Sequence, residues 1–148
     1  MSDRLLQRHR EVTDAFNRRD WQAMRKLYAP QIRWEAVPIG TGRTVAGVDA
    51  VLDVFGAFVR DSMPDLKFTF QRGVASGDTT VVEVLWEGTQ TGPIKAPFGT
   101  VPASGKPVRI YATYWTRWED ELAVETRAYI DNLGMMIQVG AVAMPLDA

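Results

Sequence analysis

The stretch Val108-Arg109-Ile110-Tyr111-Ala112-Thr113-Tyr114-Trp115-Thr116-Arg117-Trp118 reads as one long strand. β-branched and aromatic residues dominate it, and such side chains pack well on a pleated, half-buried surface. Glu119-Asp120-Glu121 turns it into a second strand, Leu122 to Ile130. Side chains alternate between the faces of a strand. If Trp118 faces the core, Tyr114 and Thr116 share that face, and Tyr111 and Trp115 lie opposite.

The β signal begins earlier. Leu66 to Val74 alternates imperfectly, Ser76-Gly77-Asp78 reads as a hairpin turn, and Thr79 to Thr91 is a long β-rich run. Gly92 to Lys106 holds three prolines and three glycines, so it reads as a loop beside the sheet. With Phe98 between Pro97 and Gly99, it is also a candidate lid.

The first part of the chain is helical. Leu5, Leu6, His9, Val12, Ala15 and Phe16 recur at spacings of three and four, which makes one apolar stripe. Asn17-Arg18-Arg19 interrupts it. Asp20 is placed to cap a second helix running through Tyr28, which Pro30 stops. Gln31 to Ala36 reads as a short strand with Trp34 on the same side as Ile32. Pro38 to Gly47 is a loop, and Val48 to Arg60 is a third helix. Helices first and antiparallel strands after them give an α+β fold, with helices packed on one face of a curved sheet.

Composition narrows the function. The chain has 148 residues, enough for one domain with a single core. Its 17 basic and 18 acidic residues give a net charge of −1, without the basic stripe of a nucleic-acid binder. The absence of cysteine removes disulfides, thiolate nucleophiles and cysteine metal sites. No apolar run approaches the roughly 20 residues that span a bilayer, and Met1-Ser2-Asp3-Arg4 does not open like a signal peptide. The expectation is a cytoplasmic protein with neither nucleic-acid nor membrane partners.

Downstream of the hairpin, Ala128-Tyr129-Ile130-Asp131-Asn132-Leu133-Gly134 runs from an apolar strand into a short apolar helix with one carboxylate at the join. Two readings stand. Asp131 faces a cavity, where lost hydration raises its pKa toward useful acid/base chemistry. Or Asp131 caps the helix.

The residues in this order resemble the SnoaL-like polyketide cyclases of the cone-shaped NTF2-like superfamily. The likeness runs from about Leu5 to Gly140. Ala15-Phe16-Asn17 through Asp20-Trp21, and Leu27-Tyr28-Ala29-Pro30, look like that family's first helices. Ile32-Arg33-Trp34-Glu35 followed by Gly47-Val48-Asp49-Ala50-Val51 looks like its first strand and third helix. Glu87-Gly88-Thr89-Gln90-Thr91-Gly92 is similar to its third-strand motif, and Tyr129-Ile130-Asp131 through Gln138-Val139-Gly140 to its tail.

The resemblance implies an apolar pocket between helices and sheet, a homodimer through the sheet's other face, and catalysis without metal or organic cofactor. It also implies that Asp131 is the general acid/base of an intramolecular aldol closure or isomerisation. The cyclases carry a His where Gln90 stands. Gln90 can donate a hydrogen bond to a carbonyl but cannot take a proton. Ketosteroid isomerases carry a phenol on the first helix, where Phe16 lies in the stripe here.

Trp34, Trp86, Tyr114 and Tyr129, with Phe16 and Gln90, are the expected substrate-contacting set for an apolar small molecule. A hydroxyl such as that of Tyr114 would stabilise a developing enolate. His9 reads as a buried, hydrogen-bonded core residue. A non-catalytic binding or dimerisation module on the same scaffold is the rival reading. An epoxide hydrolase is a third, requiring Glu83 or Glu87 to face Asp131.

Overall fold

The computed structural model describes residues 2–37, 43–96 and 99–144. In chain order the elements are α1 (Ser2–Asn17), α2 (Trp21–Arg25), β1 (Tyr28–Val37), β2 (Thr44–Ala46) and α3 (Val48–Asp61). There follow β3 (Lys67–Ser76), β4 (Thr79–Thr89), β5 (Ile94–Ala96), β6 (Gly99–Val101), β7 (Pro107–Glu119), β8 (Leu122–Ile130) and α4 (Asn132–Gln138). Six strands form one curved, unclosed sheet in the order β2-β1-β8-β7-β4-β3. The expected antiparallel sheet is therefore mixed, because β1 runs parallel to β8.

Strand β7 organises the interior. Val108, Ile110, Ala112, Tyr114, Thr116 and Trp118 point inward, while Tyr111 and Trp115 point out, as strict alternation requires. Its hairpin to β8 turns on Asp120 and Glu121, both at positive φ. That geometry matches the right-handed twist of the flanking strands.

Helix α1 lies against β3 and β4 through its apolar stripe. Its C-terminal end is fastened by Asn17, whose amide donates to Phe68 O at 2.7 Å and accepts from Phe68 N at 2.8 Å. Arg19, at φ 58, closes the helix and donates to the carbonyls of Pro64 and Leu66. The N-terminal half is tied to the β7–β8 turn by Arg4 and Arg8, which both pair with Glu121.

Asp20 caps α2, accepting from Ala23 N at 3.0 Å. The helix ends at Arg25 rather than at Tyr28, because Tyr28 already pairs with Ala123 in β1. Pro30 thus lies inside β1, within the irregular stretch between Tyr28 and Arg33, where a missing N–H costs no ladder bond. The expected loop after Gly92 contains the small hairpin β5–β6. The lid reading of Phe98 and residues 38–42 of the expected Pro38 to Gly47 loop fall outside the described residues, while Thr44–Ala46 of that stretch is not loop but strand β2, held by pairing with β1. No helix among the described residues is long and apolar enough to cross a membrane.

Candidate functional site

Between α1 and the concave side of the sheet lies a hollow of about 30 Å³, room for one or two waters. Helix α1 contributes His9, Val12, Thr13 and Phe16 to its wall. The sheet contributes Trp34, Val84, Tyr114, Thr116, Trp118 and Thr126, and Tyr28 and Phe55 help to close it. None of the lining residues is Asp, Glu, Lys or Arg.

Aromatic rings fill most of the surrounding volume. Phe16 stacks on Phe68 with centroids 3.9 Å apart, and Phe68 stacks on Trp86 at 4.9 Å. Trp34 meets Phe55 edge-on at 5.6 Å.

Several polar side chains of the interior are hydrogen-bonded within the protein. Trp86 Nε1 donates to the Tyr114 hydroxyl oxygen at 3.0 Å. Trp118 Nε1 donates to Thr80 Oγ1 at 2.9 Å, and the Thr116 and Thr126 hydroxyls pair at 3.1 Å. Thr13 Oγ1 donates to His9 O in the preceding helical turn. Burial pushes the Tyr114 and Tyr28 phenols well above their ordinary range, so both stay protonated.

His9 differs from these. Its ring lies 5.9 Å from Tyr114, 6.2 Å from Phe70 and 6.4 Å from Trp118, between centroids. Burial lowers its pKa from 6.5 to about 4, so it is neutral at pH 7. Its Nδ1 has no hydrogen-bond partner. The expectation of a satisfied core histidine is therefore corrected. Position 9 was visibly on the stripe, but whether its nitrogens find partners depends on β3 and β7, far away in sequence.

Of the expected substrate-contacting set, Phe16, Trp34 and Tyr114 line the hollow, and Trp86 stands one step behind Tyr114. Gln90 does not join them. It is wholly buried, and its amide donates to Gly92 O at 3.1 Å and Pro102 O at 3.0 Å and accepts from Ser104 N at 3.2 Å. It is occupied in tying down the loop that carries β5 and β6. Tyr129 is exposed on the outer face of β8.

Asp131 is exposed and caps α4, its Oδ1 accepting from Gly134 N at 2.8 Å. Of its two sequence readings the cap is the one observed. Alternation explains the outcome: Ala128 and Ile130 take the inward positions, and the chain turns into α4 at the next residue. Glu83 and Glu87 also point away from the hollow, toward Arg72 and Arg109. The carboxylate pair required for epoxide hydrolysis is thus not assembled.

Comparison with known proteins fits this architecture. The family model described as SnoaL-like polyketide cyclase matches residues 6–139. A candidate SnoaL-like polyketide cyclase from Jannaschia sp. CCS1 is similar in structure, with a TM-score of 0.82 and 21% identity over 95% of this chain and 94% of that one. TsrD from Streptomyces laurentii gives 0.78 and 24% over 95% and 97%. IdmH, a candidate polyketide cyclase from Streptomyces antibioticus, gives 0.74 and 26% over 92% and 98%. Among curated proteins none matches this chain in sequence.

Proposed function

This chain belongs to the SnoaL-like polyketide cyclase family, and we propose that it is a cyclase- or isomerase-class enzyme for a largely apolar carbonyl compound. The substrate sits in the hollow between α1 and the sheet. The observation that carries the reading is Tyr114. Its oxygen accepts from Trp86 Nε1, which strengthens the phenol as a donor and leaves its own proton free. Burial keeps that proton in place. A donor facing a substrate carbonyl in apolar surroundings stabilises the enolate formed during aldol closure or double-bond migration, the α-proton passing to the neutral imidazole of His9, the one base among the lining residues.

A ring compound is larger than about 30 Å³, so its binding requires wall side chains to move apart. Asp131 takes no part in this chemistry, because its carboxylate is exposed and engaged at the start of α4.

The test is exchange of the α-protons of 1-tetralone for deuterium, followed by NMR with and without the protein. Acceleration over buffer is expected, falling by about 100-fold in Tyr114→Phe. Binding of the ketone without acceleration favours the second reading, a non-catalytic ligand-binding module. The observation behind that reading is how nearly the aromatic rings fill the interior.

A second copy of the chain is proposed to cover the outer face of the sheet, where Tyr111, Trp115 and Tyr129 are 46%, 50% and 40% exposed. Sedimentation equilibrium is expected to give a dimer for the native protein and a monomer for Trp115→Glu. A native monomer would remove the proposal.

A further inference from the structure

The hollow between α1 and the sheet holds about 30 Å³, whereas an apolar cavity takes up a single benzene ring at roughly 150 Å³. A ring compound therefore enters only where part of the wall gives way. Most of the wall is fixed. Helix α1 is fastened to Phe68 by Asn17, to the carbonyls of Pro64 and Leu66 by Arg19, and to the β7–β8 turn by Arg4 and Arg8. On the sheet side, Tyr114 accepts from Trp86, and Trp118 donates to Thr80. Phe16 lies flat on Phe68 with centroids 3.9 Å apart.

Phe55 of α3 is held by none of these means. Every other aromatic side chain of the wall is buried, and Phe55 is only partly so. Its ring meets Phe16 at 5.8 Å and Trp34 at 5.6 Å, edge-on in both cases. Gly56 follows it, and a Cβ there would meet nothing within 4 Å among the described residues, so α3 has unfilled space beside the ring. Val12 is the other partly buried lining residue, but it rides on α1, which is tied down along its length.

We infer that Phe55 is the gate of the hollow, its ring turning out toward solvent to admit a ring compound. The inference rests on the hollow being the ligand site, as proposed above. Turning out breaks two edge-on aromatic contacts and wets the ring, so the open arrangement is a minor one. A minor state is populated at roughly 0.1–10%. Association that waits for such a state is slowed by the open fraction, at least about tenfold relative to an ungated hollow.

The experiment follows association of 1-tetralone with the full chain by stopped-flow tryptophan fluorescence, with Trp34 and Trp118 in the wall as reporters. Phe55→Ala is expected to raise the association rate constant by about tenfold or more, and Val12→Ala to leave it within about twofold. An equal rise in both variants overturns the gate while leaving the hollow as a ligand site, because loosening the wall anywhere would then suffice. An unchanged rate in Phe55→Ala does the same. Binding confined to Phe55→Ala also overturns the gate, since the native ring then never yields. Absence of binding in the native protein and both variants removes the ligand site itself, and the gate with it. If Phe55→Ala does not fold, the native protein decides by NMR. The Phe55 ring protons should shift on saturation with 1-tetralone, and resonances that stay put refute the gate.

Discussion

Acid should destabilise this protein earlier than its carboxylates alone require, and His9 is the cause. In the native state burial holds the imidazole pKa at about 4, against 6.5 for the free group. The unfolded chain therefore takes up a proton near pH 6.5, and the folded chain does not until about pH 4. Between those values the unfolded state binds more protons, so stability falls as pH falls and levels off below pH 4.

The full interval corresponds to about 3 kcal/mol at about 1.4 kcal/mol per pH unit. About 2 kcal/mol of it should already be lost between roughly pH 7.5 and 5. Asp61, Asp65 and Glu121 have lowered pKa values, so their contributions vanish at lower pH, as they protonate. The rings around His9 belong to Phe70, Tyr114 and Trp118, none of which titrates in that window.

Urea denaturation across the range, for the native protein and for His9→Gln, isolates the effect as the difference between the two curves. The histidine ring protons should in parallel show no titration down to about pH 5. Parallel stability curves for the two proteins, or a histidine titrating near 6.5, would refute the reasoning.

Four further outcomes follow from the geometry. Asp131→Ala should cost about 1 kcal/mol of stability through the lost α4 cap, with α-proton exchange of 1-tetralone unchanged, as thermal melts and NMR can check. Gly134→Ala should fail to stabilise the native protein, because the new methyl would meet the Asp131 carboxylate. In an Asp131→Ala background it should instead add about 0.5–1 kcal/mol as ordinary helix propensity, and additivity of the two changes would contradict the capping contact. Gln90→Ala should destabilise by about 2–3 kcal/mol by stranding loop groups and should raise amide exchange at Ser104. Gly92→Ala should be the most damaging glycine replacement, since a Cβ there runs into the Asp61 carbonyl; a melting temperature within error of native would count against the close approach.

Much of the fold was legible because its signals are local. The alternation in β7 set which residues face inward, and the turn residues bounded β8 and the β3–β4 hairpin. The three-four spacing gave α1, and Asp20 marked the start of α2. The end of α2 was not legible, since Tyr28 is drawn into β1 by pairing with Ala123, a residue distant in sequence. The parallel β1–β8 ladder escaped the sequence for the same reason.

The candidate site divides along the same line. Tyr114, Trp34 and Phe16 reach the hollow as their periodicity implies. For Gln90 and Asp131 the side chain's chemistry was evident, but its employment depends on the backbone it meets. Gln90 meets the 92–104 loop, and Asp131 meets the first amides of α4. His9 is the reverse case, a helix residue of ordinary position whose lone Nδ1 becomes notable only once β3 and β7 surround it with rings. Sequence fixes period and chemistry, whereas hydrogen-bond satisfaction is a property of neighbours that only tertiary packing brings together.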